Sequence, residues 1–240
     1  MIGIGTIANV AAIIVGGIAG LFFRKGLREN IREMLMTVLG ICVMFLGLSG
    51  ALSGMLSVSD NGGLKAGGTG VLIASMVVGA LIGEVIGIEK GFERFGEFLK
   101  RKFDKGGANT RFVEGFVNAA LIVCVGAMAV IGPVNDAVFR NPSTLFIKAV
   151  LDGFIVLVLA SAYGKGAVFS ALPLGLYQGA LTALAGLIAP YLTQSMTDNL
   201  SYVGSVLIFC VGTNMCFGTK FRVANMLPAM VASVLLGAFM

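Results

Sequence analysis

The first charged residue of this chain is Arg24, so the stretch from Ile2 to Phe23 carries no charge at all. A helix needs roughly 20 mostly apolar residues to cross a bilayer, and this run meets that length. Reading similar runs between charges and helix breakers gives eight approximate spans: 2–23, 35–56, 69–87, 111–131, 144–163, 167–190, 201–217 and 223–240. The last is short and holds Pro228. Composition agrees, with 57% hydrophobic and only 12% charged residues, where soluble domains carry about 25% charged. The expected fold is therefore an all-α polytopic membrane protein, with residues 1–240 as a single transmembrane domain. No basic segment precedes the first run, so it is expected to stay in place rather than be cleaved as a signal.

Alternating spans sort the cations. One side receives 14 of the 17 Lys and Arg, among them Arg24, Lys25, Arg28, Arg32, the seven between Lys90 and Arg111, Lys165, Lys220 and Arg222. Lys65, Arg140 and Lys148 fall on or near the other side. The positive-inside rule makes the first side cytoplasmic and puts both termini outside, in the cell inner membrane. The net charge of +5 thus lies between spans, and no nucleic-acid partner is expected. The connection at 88–103 places Ile88, Phe92, Phe95, Leu99 and Phe103 at helical spacing with charges between them, which predicts an amphipathic helix at the interface. The glycines within 60–68 predict a flexible external loop.

Several chemistries drop out. The chain has no histidine, and Cys42, Cys124, Cys210 and Cys216 lie in apolar runs with no CxxC partner. With no nucleophile–base pair, phosphate loop or metal-ligand cluster in view, neither enzyme activity nor a cofactor or metal is expected. The twelve methionines are scattered rather than clustered, which argues against a soft-metal pathway.

An internal repeat emerges from the fourth and seventh spans. Leu121, Ile122, Cys124, Val125, Gly126 and Gly132 each recur 86 positions later. Small-residue helices precede both, and FRN at 139–141 is echoed by FRV at 221–223. The organisation this suggests is an N-terminal hairpin (1–56) followed by two three-helix modules, 69–163 and 167–240. An offset of three helices reverses direction, so the modules would be inverted, as in many secondary transporters.

The segments GTIANVAAIIVGG, GALIGEVIGIEKGFERFGEFL, EGFVNAALIVCVGAMAVIG, KAVLDG, LYQGALTALAGLIAP and FRVANMLPA together resemble the bacterial inner-membrane family of unknown function typified by YqgA and YdfK. The resemblance covers nearly the whole chain. It implies a multi-pass membrane fold and brings no catalytic or binding residues with it.

Polar groups inside apolar runs are the remaining clue, because a charge at a helix centre costs about 2.5–3.5 kcal/mol on insertion scales. Glu84, Glu114, Lys148 and Asp152 are such groups. Lys148 and Asp152, four apart, can pair on one helix face. Structural pairing and ion coupling are the two readings for all four. Among uncharged groups, Asn118 lies one turn beyond Glu114, Gln178 stands mid-span, Asn214 follows Gly212, and Asn9 sits within the first helix. Gly132-Pro133 is expected to end or bend the fourth helix, and Gly126 and Gly212 are either paired weak points or close-packing positions. The expected substrate-binding set is Asn118, Gly126, Asp152, Gln178, Gly212 and Asn214, with Glu84, Glu114, Lys148 and Asp152 for ion coupling. The reading is a secondary transporter or exchanger of a small solute or ion, with a channel or a non-transporting scaffold as alternatives. The GxxxG pairs Gly16/Gly20 and Gly79/Gly83 suggest close helix packing, and the glycine-lined first and third helices a homodimer within the lipid bilayer.

Overall fold

Apolar runs with no water to hydrogen-bond the backbone have to satisfy their N–H and C=O groups internally, which favours helix throughout. A computed structural model describes residues 2–24, 28–58, 62–104, 111–126, 128–219 and 221–238. The elements are α1 (Ile4–Arg24), α2 (Glu29–Met55), the strands β1 (Leu56–Val58) and β2 (Leu64–Ala66), α3 (Thr69–Ile86), α4 (Ile88–Phe103), α5 (Phe112–Cys124), α6 (Met128–Val138), α7 (Ser143–Tyr163), α8 (Lys165–Val168), α9 (Ala171–Ile188), α10 (Gln194–Phe217), α11 (Val223–Met226) and α12 (Pro228–Ala238). Lys25, Asp60, Lys105 and Lys220, used above to sort loops and charges, lie outside the described residues.

Six helical segments are long and apolar enough to cross a membrane: α1, α2, α3, α7, the Lys165–Tyr191 segment and α10. The pair α5 and α6, bent by 55° at a short break, makes a seventh if it is one span. The expected eighth span is an apolar segment of less than span length, Val223–Gly237, interrupted where α11 gives way to Pro228. At 1.5 Å per residue it falls short of the roughly 30 Å hydrocarbon core.

Three local expectations change. Part of the loop at 60–68 is a strand of a small antiparallel ribbon, in which Leu56 pairs with Ala66 and Val58 with Leu64. The fourth helix breaks at Gly126, not after Pro133, which stays inside α6. Gly126 has φ of 121°, a region that side chains other than glycine's rarely adopt. Finally, α10 runs unbroken through Gly212, so the helix break at Gly126 has no counterpart there.

The chain divides into two compact units. The first comprises Met1–Leu39, Gly91–Cys124 and Met128–Tyr191. Its centre is α5, most of whose residues are buried, including Phe112, Phe116 and Val123. Apart from Glu114 and Asn118 the helix is apolar, which suits such a position. Against this core α1 lies along α7 at close range: a Cβ on Gly16 would collide with the Gly153 carbonyl oxygen, and one on Gly20 with that of Leu157. The second unit comprises Gly40–Lys90, Val125–Ala127 and Leu192–Met240. There Gly79 and Gly83 of α3 meet the backbone of Ala229 and Asn225, and Gly47 of α2 meets Phe209 of α10. Both GxxxG pairs are thus used in packing within the chain. Outward side chains such as Val15, Val85, Val150 and Leu176 are large and apolar, as lipid-facing positions should be.

Candidate functional site

In the first unit, α7 carries both charges of a buried cluster. Lys148 Nζ lies 2.9 Å from Asp152 Oδ1 and 2.7 Å from Oδ2. The two residues are only 6% and 3% exposed. From α1, the fully buried Asn9 donates its Nδ2 to Asp152 Oδ2 at 3.0 Å and to Gln178 Oε1 of α9 at 3.4 Å. Three helices, each part of a membrane-length segment, therefore deliver four polar side chains to one place. The α1–α7 glycine contacts make this reach possible, because Asn9 is a short side chain and needs the two backbones close.

Hydrogen bonding in the cluster is incomplete. Both carboxylate oxygens of Asp152 are engaged, but Asn9 Oδ1 and Gln178 Nε2 are buried without a partner. Rotating either amide makes matters worse. A turned Asn9 would set its oxygen against the carboxylate, and a turned Gln178 would set two NH2 groups together. One acceptor and one donor are left over by the chemistry of the cluster, each at a cost of about 1–3 kcal/mol. A small group offering both a donor and an acceptor would satisfy them.

The broken helix ends beside this cluster. Cys124, the last residue of α5, lies within electrostatic reach of both Lys148 and Asp152. The final four carbonyls of a helix lack intrahelical partners, and the negative end of its dipole is a cation-attracting feature. An open, mostly apolar groove of about 530 Å³ runs between α1 and α9, lined by Thr6, Ile7, Val10, Ile14, Gly179 and Thr182 and not by Asn9 or Gln178.

Other expected residues lie elsewhere. Asn118 donates to the Tyr163 hydroxyl at 3.3 Å, and Glu114, one turn earlier, faces Arg111 and Tyr163. In the second unit Glu84 pairs with Arg222 and accepts from Asn225 Nδ2 at 2.8 Å. Asn225 Oδ1 in turn accepts from the Glu89 N–H at 2.7 Å, while Glu89 accepts from the Ala224 N–H at 2.8 Å. This reciprocal capping pins the starts of α4 and α11. Asn214 sits one turn before the end of α10 and spends its amide on Thr219 and Phe221, closing the following turn. Gly212 packs against the backbone of Met44 and Gly40. Both were expected to line a midplane site, and both serve local packing instead.

Two residues outside the expected set matter. Asn9 completes the cluster; its signal was a carboxamide alone in a run without charge. Asp136, placed just outside a span by the sequence, is 1% exposed within α6 and accepts from the Gly5 N–H at 2.9 Å. It supplies the negative charge that the first turn of α1 lacks. Among the described residues no group of three or more Cys, Asp or Glu could hold a metal ion.

Residues 4–238 match the family described as "Protein of unknown function (DUF554)". The chain belongs to this family. It is 30% identical over 227 residues to the "Uncharacterized membrane protein YdfK" of Bacillus subtilis (strain 168), covering 95% of this chain and 92% of that protein. It is 29% identical over 238 residues to the "Uncharacterized protein YqgA" of Escherichia coli (strain K12), covering 98% and 96%. No solved structure matches. The chain is a multi-pass membrane protein, and the resemblance read from its motifs is the family to which it belongs.

Proposed function

We propose that this protein is a secondary transporter or exchanger of a small solute or ion, residing in the cell inner membrane with its N-terminus outside. The observation that supports this reading is the buried Lys148–Asp152 pair, with two unsatisfied carboxamide atoms beside it, next to the end of a broken helix. Intramembrane charges are expensive and usually mark pathways. Discontinuous helices are tolerated in membranes where protein or a wet cavity takes up the freed backbone groups, and such places are where transporters hold their cargo. In this mechanism the substrate bridges Asn9 Oδ1 and Gln178 Nε2, while Asp152 exchanges its Lys148 partner for a coupling cation. The inverted three-helix modules at 69–163 and 167–240 belong to the proposal, as does a homodimer formed on faces other than the two GxxxG seams.

The decisive measurement is flux in proteoliposomes across a panel of small solutes and ions, with the combined Lys148→Gln/Asp152→Asn variant as control. Replacing both charges avoids the roughly 3–5 kcal/mol penalty of stranding one partner. The variant should therefore fold while losing flux. A parent protein inert across the panel would defeat the proposal, as would unchanged flux in the double variant, which would make the pair purely structural.

A further inference from the structure

Helix α4 divides its circumference into sectors whose order is unusual for a simple connector. At about 100° per residue, Phe92, Gly96 and Leu99 form one face, and it is packed: Gly96 abuts Phe116 and Val113 of α5, and the Phe92 ring lies 6.5 Å from that of Phe116. Next around the helix come Phe95 and Phe98, which are 42% and 51% exposed and stack on each other at 6.5 Å. Beyond them stand Arg94, Arg101 and Lys90, all exposed, while Lys102 projects from between the two phenylalanines. Glu93 and Glu97 follow Lys90 around the helix, and the half-buried Lys100 shares the sector of Glu93, opposite the exposed rings. Among the described residues Lys90, Arg94, Lys100, Arg101 and Lys102 make no ion pair, although Glu97 and Arg101 are suitably spaced for one.

We infer that α4 is a docking helix for anionic phospholipids, with Phe95 and Phe98 in the acyl boundary and Arg94, Arg101, Lys90 and Lys102 on the headgroup phosphates. The order of sectors carries the inference. Aromatic rings sink below the headgroups, guanidinium and ammonium groups extend to phosphate level, and carboxylates point to water, which is the arrangement of an interfacial helix. The exposed rings are bordered by Arg94 and Arg101, which make no ion pair among the described residues, and Glu93 and Glu97 lie farther round the helix than these two cations. Arginine adds bidentate geometry for phosphate oxygens. Continuity supports the placement, since α4 follows α3, which is long and apolar enough to cross a membrane, and precedes α5, which is so together with α6. The assignment is independent of any transported substrate.

The chain contains no tryptophan, so Phe98→Trp installs a single fluorescent reporter in the full-length protein. In phosphatidylcholine vesicles, brominated phosphatidylglycerol or brominated phosphatidylcholine is included at equal mole fraction, and quenching is compared. Quenching by the anionic lipid should exceed that by the zwitterionic one. Each basic side chain at the surface is worth about a five-fold gain in anionic-lipid affinity, so Arg94→Gln/Arg101→Gln should lower the preference at least about five-fold. Should Phe98→Trp fail to fold, Phe95→Trp reads the same sector. Equal quenching by the two lipids would overturn the inference. So would a tryptophan quenched by aqueous iodide and by neither lipid, which would point to a protein partner or to water over this face.

Discussion

Asn9 sits between two outcomes of substitution. As a helix-to-helix hydrogen bond in a membrane it is worth only about 0.6 kcal/mol, so Asn9→Ala should lower the thermal midpoint slightly. As half of a binding pair its loss should reduce flux far more than stability, and equal losses of both would relegate it to packing. Asp136 differs, because its carboxylate caps the N-terminus of α1 from another helix. Asp136→Ala should cost about 0.5–2 kcal/mol, the range for lost caps, read as a lower unfolding midpoint with the start of α1 losing hydrogen-exchange protection. The pairing of Lys148 with Asp152 was legible because residues four apart share a helix face. The roles of Asn9 and Asp136 were not, since their partners lie 143 and 131 positions away. Asn214 misled for the opposite reason: a carboxamide close to a helix end is absorbed by its own turn before it can line anything.

At the scale of elements, the two glycines matched by the internal repeat behave oppositely. A Cβ on Gly126 would meet nothing within 4 Å, but its φ of 121° is strained for any side chain. Gly126→Ala should therefore cost about 1–3 kcal/mol through the backbone alone, and any flux that depends on the break should fall with it. Gly212→Ala fails sterically, against the Met44 N–H and the Gly40 carbonyl. A companion substitution of Met44 by a smaller residue would not relieve it, because the obstacle is main chain. Helix positions were readable from apolar run length. Gly126 reads in the sequence as either a weak point or a packing position, while Pro133, the stronger breaker in isolation, stays inside α6. Helix α4 was legible in full, since amphipathic spacing is a local property of sequence.

Across the whole molecule, the remaining question is how many times the chain crosses the lipid, and α5–α6 controls the count. Lys102 and Asn141 flank this bent pair. Single-cysteine variants at these two positions, in a background with the four native cysteines replaced, should be labelled from opposite sides if the pair is one broken span. Labelling from the same side would make it a re-entrant loop, and the charge sorting beyond residue 111 would invert. Membrane class and span positions followed from apolar length, whereas the short final segment and the division into two units depend on contacts remote in sequence. The six residues shared by the two helices 86 positions apart do not impose the same backbone path: one helix is interrupted at Gly126, and the other runs on through Gly212, packed against α2.

That Lys148 and Asp152 lie on a single helix also bears on biosynthesis. Their bridge needs no second helix, so the two charges can offset each other before any neighbouring helix is in place. Asn9 and Gln178 then have only to recognise a neutralised rod. Separating the charges onto different helices would leave each to enter the bilayer unaccompanied, at the mercy of the order in which the spans are released.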